Sequence, residues 1–147
     1  MANILQQVAQ IIKKDVTEKL SVLKFEYNFD DDCVEVTADA SYNNPDCDFI
    51  MGLIVWCDSG CSFWSSFGEI EESVQTLKLV NSYNSNNGPF RAYIDENTSN
   101  LCMDFDITYN MIDDISMFDH LYSGIVETLI REIQTPEMRR LLSYISD

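Results

Sequence analysis

Arg91 is a candidate functional residue because it is the one positively charged residue between residues 79 and 108. A guanidinium can bind a carboxylate or a phosphate. Downstream, Asp104 and Asp106 place two carboxylates on one face of a strand, which is also a candidate divalent-ion site. No calcium-type loop and no third acid converge on this pair, so a solvated strand face is the favoured interpretation.

Cysteine and histidine offer two further kinds of site. Cys57 and Cys61 in the segment CDSGC are spaced so that a turn can bring them together, but structural zinc needs two more ligands. His120 is the single histidine, and its neighbour Asp119 does not face it on a helix. We therefore predict a non-enzymatic protein with no catalytic residue, no metal and no cofactor.

Composition limits the classes of partner. Nine basic residues against 25 acidic ones give a net charge of -16, which repels nucleic acid and anionic lipid. The longest apolar run, 49–57, is too short to span a membrane, and the N-terminus lacks the apolar region of a signal peptide. Five scattered cysteines fit a reducing compartment. We expect a cytoplasmic protein that binds neither nucleic acid nor membranes.

Hydrophobic periodicity divides the chain into helices and strands. Steps of three and four residues predict amphipathic helices at 4–20 and 115–133, with Pro136 ending or kinking the second and leaving a short terminal helix. Strands are predicted at 23–29, 34–40 and 49–57. The S-x-x-E spacing of Ser66 and Glu69 predicts a helix running to Tyr83, and strands follow near 90–95 and 101–108.

The predicted order is α-βββ-α-ββ-α in a single domain, residues 1–147. Short turns between the first three strands favour an antiparallel meander, because parallel neighbours need a long crossover. The expected fold class is α+β, an antiparallel sheet of about five strands with helices packed on it.

Residue parity predicts the partner of Arg91. In an antiparallel pair, opposed residues point to the same face. Joining the apolar faces of the last two strands places Arg91 opposite Asp104 in one register and opposite Asp106 in the other. We predict a cross-strand ion pair that sets the register.

The strand at 49–57 is unusual because both of its faces are apolar. Odd-numbered residues from Phe49 to Val55 form one face, and Ile50, Ile54 and Trp56 form the other. An antiparallel sheet usually leaves one face in water. The second apolar face therefore needs a cover, which is the terminal helix, another subunit or a client polypeptide.

Aromatic residues follow in the segment CSFWSSF, which the pattern places in a loop before the second helix. Such residues anchor a helix or lie at an interface. The predicted partner-binding residues are Ile54, Trp56, Phe63, Trp64 and Phe67.

Around Arg91 the sequence also carries a motif, made of Asn81, Tyr83 and Asn84 at the end of a helix and then Arg91, Ala92, Tyr93, Ile94 and Asp95. This motif resembles the signature of the YbjN family of bacterial proteins. The resemblance implies a fold similar to type III secretion chaperones, with these residues in structural roles. It also implies a cytoplasmic, often dimeric protein with chaperone-like or regulatory binding and no established catalysis.

These expectations combine into a binding protein that holds a polypeptide, a second copy of itself, or both, through an apolar surface ringed by acidic residues. One alternative is an acidic immunity-type inhibitor that neutralises a basic toxin. Another is a carboxylate-based metal site or enzyme built on Asp104 and Asp106.

Overall fold

The computed structural model describes residues 2–42, 47–56, 60–86, 88–107 and 115–145. Within these ranges the fold class is α+β, as predicted, but the sheet has six strands instead of about five. The elements are α1 (Ala2–Lys19), β1 (Ser21–Phe29), β2 (Cys33–Tyr42), β3 (Cys47–Trp56), β4 (Gly60–Glu69), α2 (Val74–Ser85), β5 (Arg91–Ile94), β6 (Asn100–Ile107), α3 (Ile115–Glu132) and α4 (Pro136–Ser143).

The strands pair in the order β1-β2-β3-β4-β6-β5, and all five pairings are antiparallel. Strands β1 to β4 form the predicted meander, extended by one strand. The β5–β6 hairpin joins the meander through β6, so β1 and β5 are the two edges of the sheet. The central strands are therefore β3 and β4, which lie between paired neighbours on both sides.

The extra strand is β4, at a position where the sequence predicted a loop and the start of a helix. Ser66 lies inside β4, so the predicted capping box of Ser66 and Glu69 is wrong. Helix α2 begins at Val74, and Ser73 is its N-cap. The Ser73 hydroxyl accepts from the Thr76 amide at 3.2 Å, and the Thr76 hydroxyl accepts from the Ser73 amide at 2.8 Å. The capping box exists, but it lies seven residues further along the chain.

The helices pack on one side of the sheet because each presents an apolar stripe at helical spacing. In α1 the stripe includes Leu5, Val8 and Ile12, all buried. Pro136 stands in the first turn of α4, just after α3 ends, as predicted for a residue that lacks an amide hydrogen. Buried residues from all four helices join the strands in one core. Each fully buried Leu, Ile or Phe contributes about 1.5–3 kcal/mol.

None of the described helices is long and apolar enough to cross a lipid bilayer.

Candidate functional site

The register of the sheet sends alternate side chains of β3 and β4 to two different faces. Leu53 of β3 and Phe63 of β4 are opposed and fully buried against the helices, on what we name the inner face. Their neighbours Ile54 and Trp64 point the other way, to the outer face. No described residue of the outer face belongs to the helix-packed core. The two faces of the central strands therefore have different environments.

An apolar stripe crosses the middle of the outer face. It consists of Ile50, Ile54 and Trp56 from β3 and Trp64 from β4, and we name it the outer stripe. Ile50 is 46% exposed, and the other three side chains are half-buried. The chain has only two tryptophans, and both lie here. Trp56, Ile54 and Trp64 were predicted as contact residues, whereas Ile50 was not included.

Gly52 makes room for the indole of Trp64. The two residues are opposed on β3 and β4, and a Cβ atom on Gly52 would lie 2.3 Å from Cε2 of Trp64. Only a residue without a side chain allows the ring to lie directly on the strand. A glycine in the centre of a strand is typical of such close approach, and this signal was available in the sequence.

Carboxylates flank the outer stripe on both sides. Those that the register places on the outer face near the stripe are Glu26, Glu35, Asp39, Asp48, Asp104 and Asp106. The strands contribute two cations, Lys24 and Arg91, to this face. Lys24 pairs with Glu26 at 2.6 Å and Arg91 with Asp104 at 2.8 Å. Among the described residues, the other four carboxylates form no salt bridge, so the surroundings of the stripe are strongly negative.

Arg91 occupies the structural position that parity predicted. It lies opposite Asp104, in the register with Ile94 opposite Leu101, and Nη2 donates to Oδ2 of Asp104. The hydrogen bond and charge of Asp104 raise the pKa of Arg91. Its guanidinium also lies over the ring of Tyr93, 5.0 Å from the centroid. This exposed pair stabilises the hairpin by roughly 0.2–1 kcal/mol.

Asp106, the second predicted candidate, accepts a hydrogen bond from the Ser62 hydroxyl on β4. With Asp104 engaged by Arg91, the two aspartates of the DFD segment have separate partners. In the part of the chain that the structure describes, no three His, Cys, Asp or Glu side chains cluster closely enough to hold a metal ion.

The residues of the family-like motif have structural contacts around β5. The Asn84 amide donates to the Ala92 carbonyl and accepts from the Ala92 amide, both at 2.9 Å, which ties the edge strand to α2. The Tyr83 hydroxyl donates to Glu132 of α3 at 2.9 Å. Burial, together with this bond, raises the pKa of Tyr83.

Asp95 closes the turn between β5 and β6. Its carboxylate accepts from the Thr98 hydroxyl at 2.8 Å, and its backbone bonds to Asn100 and Ser99. Asn81, also in the motif, is exposed on α2, and Tyr93 is half-buried on the outer face. These contacts shape the hairpin and tie it to α2.

Two predicted contact residues, Phe63 and Phe67, lie in the core instead. Their exposed fractions are 0% and 5%. The ring of Phe63 packs edge-on against Phe90 with centroids 5.7 Å apart, and the ring of Phe67 is tilted against Phe49 with centroids 5.5 Å apart. Since residues 60–69 form a strand and not a loop, odd-numbered residues as far as Phe67 point to the inner face. The prediction that Phe63 and Phe67 lie in a loop before the second helix is therefore wrong.

The remaining candidates lie partly outside the described residues. Cys57 is among the residues not described, and the side chain of His120, whose backbone lies in α3, is not described either. Cys61 is buried on the inner face, and burial, with the nearby charge of Asp106, raises its pKa to about 12. A thiol with so high a pKa is a poor nucleophile and a poor metal ligand at neutral pH.

Fold and site together define an α+β protein whose six-stranded sheet presents an apolar, acid-flanked face opposite its helices. Neither protein-family models, nor curated proteins, nor solved structures match this chain. Membership of the YbjN family stays a prediction from the motif around Arg91.

Proposed function

We propose that this chain is a non-enzymatic binding protein that holds a polypeptide partner on the outer face of its sheet. The observation that carries the proposal is the outer stripe, in which both tryptophans and two isoleucines lie on the face opposite the helices. Tryptophan is enriched among residues that contribute most to protein–protein binding. A stripe of this kind gains free energy when a partner removes it from water.

The charge pattern favours a cationic partner. Four carboxylates beside the stripe lack a salt bridge among the described residues, and the whole chain carries a net charge of -16. Such a field speeds the approach of a basic polypeptide and opposes anionic ones. A segment that combines apolar and basic side chains contacts the outer stripe with the apolar ones and the flanking carboxylates with the basic ones.

A second copy of the chain is the alternative partner for the outer face. Two outer faces have like charges and repel each other, so a homodimer through this face is disfavoured at low ionic strength. Light scattering at low and high salt tests this directly. A dimer that strengthens with salt and is lost in Ile54→Ser, Trp56→Ser protein would replace the polypeptide partner with a second copy.

The acidic inhibitor of a basic toxin is the second candidate function, and the four carboxylates without a salt bridge favour it. Binding that is mainly electrostatic weakens steeply as salt rises, because the Debye length falls from about 10 Å at 0.1 M to about 3 Å at 1 M. Binding centred on the outer stripe persists in high salt. The salt dependence of a purified complex therefore separates the two functions.

The decisive experiment compares two variants that each lose two apolar side chains. Ile54→Ser, Trp56→Ser removes half of the outer stripe, whereas Val74→Ser, Leu77→Ser removes exposed apolar residues of α2. Proteins captured from a bacterial lysate by the wild type are identified, purified and titrated against all three forms. We expect the outer-face variant to lose affinity at least tenfold, about 1.4 kcal/mol, and the α2 variant to bind normally. Equal losses, or no loss in the outer-face variant, would exclude the outer stripe as the binding surface.

A further inference from the structure

At one end, the outer face continues into a cavity of about 600 Å³. The cavity lies where two strands each carry a bulge, β1 at Leu23 and β4 at Phe67. The β4 bulge depends on Gly68, whose φ of +123° favours glycine. A bulge redirects side chains and is common beside functional sites. Two bulges at the same end of one sheet open a concave space that a regular ladder lacks.

The interior of the cavity is apolar. Phe49 and Phe67, whose rings are 5.5 Å apart, contribute to its lining from the core. Leu23 is 89% exposed and Ile50 46% exposed, and both also line it. Ile50 belongs to the outer stripe, so cavity and stripe are continuous. An apolar group that enters the cavity removes this surface from water.

The polar part of the lining includes two carboxylates beside neutral serine and asparagine side chains. Asp39 lies opposite Ile50, and Asp48 is two residues before Ile50 on β3. This diagonal arrangement separates the two positions by roughly 7–8 Å, so one cation can lie between them. Lys24 lies opposite Asp39, but its ammonium forms its salt bridge with Glu26 at 2.6 Å. The cavity therefore combines an apolar interior with two carboxylates.

A second, smaller concavity extends this site along the outer face. Its volume is about 310 Å³, and it shares Asp39 and Ile50 with the larger cavity. It leads toward Thr37 and the Lys24–Glu26 ion pair. The two concavities therefore lie side by side on the outer face.

We propose that the larger cavity is the anchor pocket of the binding face. It takes a bulky apolar side chain of the partner polypeptide that has a lysine or arginine next to it in sequence. The apolar group contacts Phe49 and Phe67, and the cation lies between Asp39 and Asp48. This inference rests on the proposed function and adds a sequence preference to it.

Short synthetic peptides and amide NMR spectra of the labelled protein test the pocket. The first peptide is acetylated and amidated Lys-Ser-Leu-Lys-Ser-Gly. The second has alanine in place of leucine, and the third has glutamate in place of both lysines. We expect the first to shift the resonances of Ile50, Phe67 and Asn100, the second to bind about tenfold more weakly, and the third not to bind.

A pair of charge-matched variants locates the cation. Asp39→Asn, Asp48→Asn should weaken the first peptide about fivefold at low salt. Asp31→Asn, Asp32→Asn makes the same change of charge in the exposed β1–β2 turn and should leave its affinity within about twofold. Equal weakening in both variants would show attraction by net charge alone and overturn the pocket.

Two other results also overturn the inference, and they leave the proposed function to its own test. One is that peptide binding shifts the amide resonances of Trp56 and Trp64 and not those of the residues that line the cavity. The other is no peptide binding at all. Binding of a full polypeptide at the outer stripe is judged separately by the Ile54→Ser, Trp56→Ser protein, so failure of the pocket and failure of the function are distinguishable.

Discussion

The two faces of β3 are both largely apolar and, like those of β4, differ in what covers them. On the inner face, Leu53 and Phe63 are buried by helices that present apolar stripes. On the outer face, Ile54 and Trp64 are bordered by carboxylates and are half-buried by their own strand neighbours. Apolar composition alone therefore does not show which face of a sheet forms the core. The core forms on the face against which the helices pack.

The flanking acids also oppose association between copies of the chain through the apolar outer face. Exposed apolar patches on a sheet promote association between copies unless charge opposes it. Glu35 on one side of the stripe and Asp106 on the other place like charges wherever two outer faces meet. The same charges attract a basic partner, so one arrangement disfavours self-association and favours a cationic polypeptide.

The largest effect that separates the two faces is expected from a charge placed on neighbouring residues of β3. Leu53→Asp buries an unpaired carboxylate in the core and should unfold the domain, because the cost exceeds much of a typical stability of about 5–15 kcal/mol. Ile54→Asp puts the same charge on the outer face beside Glu35 and should leave the protein folded. Circular dichroism and urea unfolding measure both. A folded Leu53→Asp protein, or an unfolded Ile54→Asp protein, would reverse the assignment of the faces.

Much of this comparison was predictable from the sequence. The apolar run of β3 predicts a strand with two apolar faces. The parity of β5 and β6 predicts the Arg91–Asp104 pair. Both predictions depend on local pattern alone. Ile54, Trp56 and Trp64 were accordingly identified as candidate contact residues.

Strand β4 was not predictable in the same way, because its polarity does not alternate with its faces. Ser65 is fully buried on the inner face, while Trp64 lies on the outer one. The S-x-x-E spacing of Ser66 and Glu69 instead predicts a helix cap, with a loop before it. Without a strand, the alternation of Phe63 and Phe67 defines no face, so the sequence pattern places both among the candidate contact residues. The cavity depends on two bulges in distant strands, which no local pattern reveals.

A smaller effect is expected where Gly52 meets Trp64. Alanine at position 52 places Cβ in the indole, so the ring must leave the strand. We expect a red shift of tryptophan emission and a loss of about 1 kcal/mol of stability, partly offset by the lower entropy of the unfolded chain. Adding Trp64→Ala should remove the penalty, giving a coupling energy of about 0.5–3 kcal/mol. Gly124→Ala in α3, whose Cβ meets no atom of the described residues within 4 Å, is the clash-free control and should be stabilising, because alanine favours a helix over glycine. Unchanged emission in Gly52→Ala protein would contradict the close contact.

The smallest effect concerns Asp15, a carboxylate in the helical layer that covers the inner face. Asp15 accepts from Lys19 at 2.7 Å, and Lys19 also approaches Glu127 of α3 at 3.9 Å. Burial raises the pKa of Asp15 above its ordinary 3.8 despite this pair. A raised pKa means that the protonated form is favoured in the folded state. Its contribution to stability is complete below pH 3.8 and is lost as pH rises through the folded-state pKa.

Asp15→Asn should therefore stabilise the protein at neutral pH and not in acid. Asparagine keeps an acceptor for Lys19 and has no charge to bury, so the advantage over wild type should grow as pH rises from 3.8 toward 7. Urea unfolding across that range measures it, with Asp31→Asn in the exposed turn as a control for loss of net charge. A variant that is instead less stable at neutral pH would show that the ion pair with Lys19 outweighs the cost of burying the Asp15 carboxylate. Asp15 would then be better hydrated in the helical layer than the side chains of the inner face.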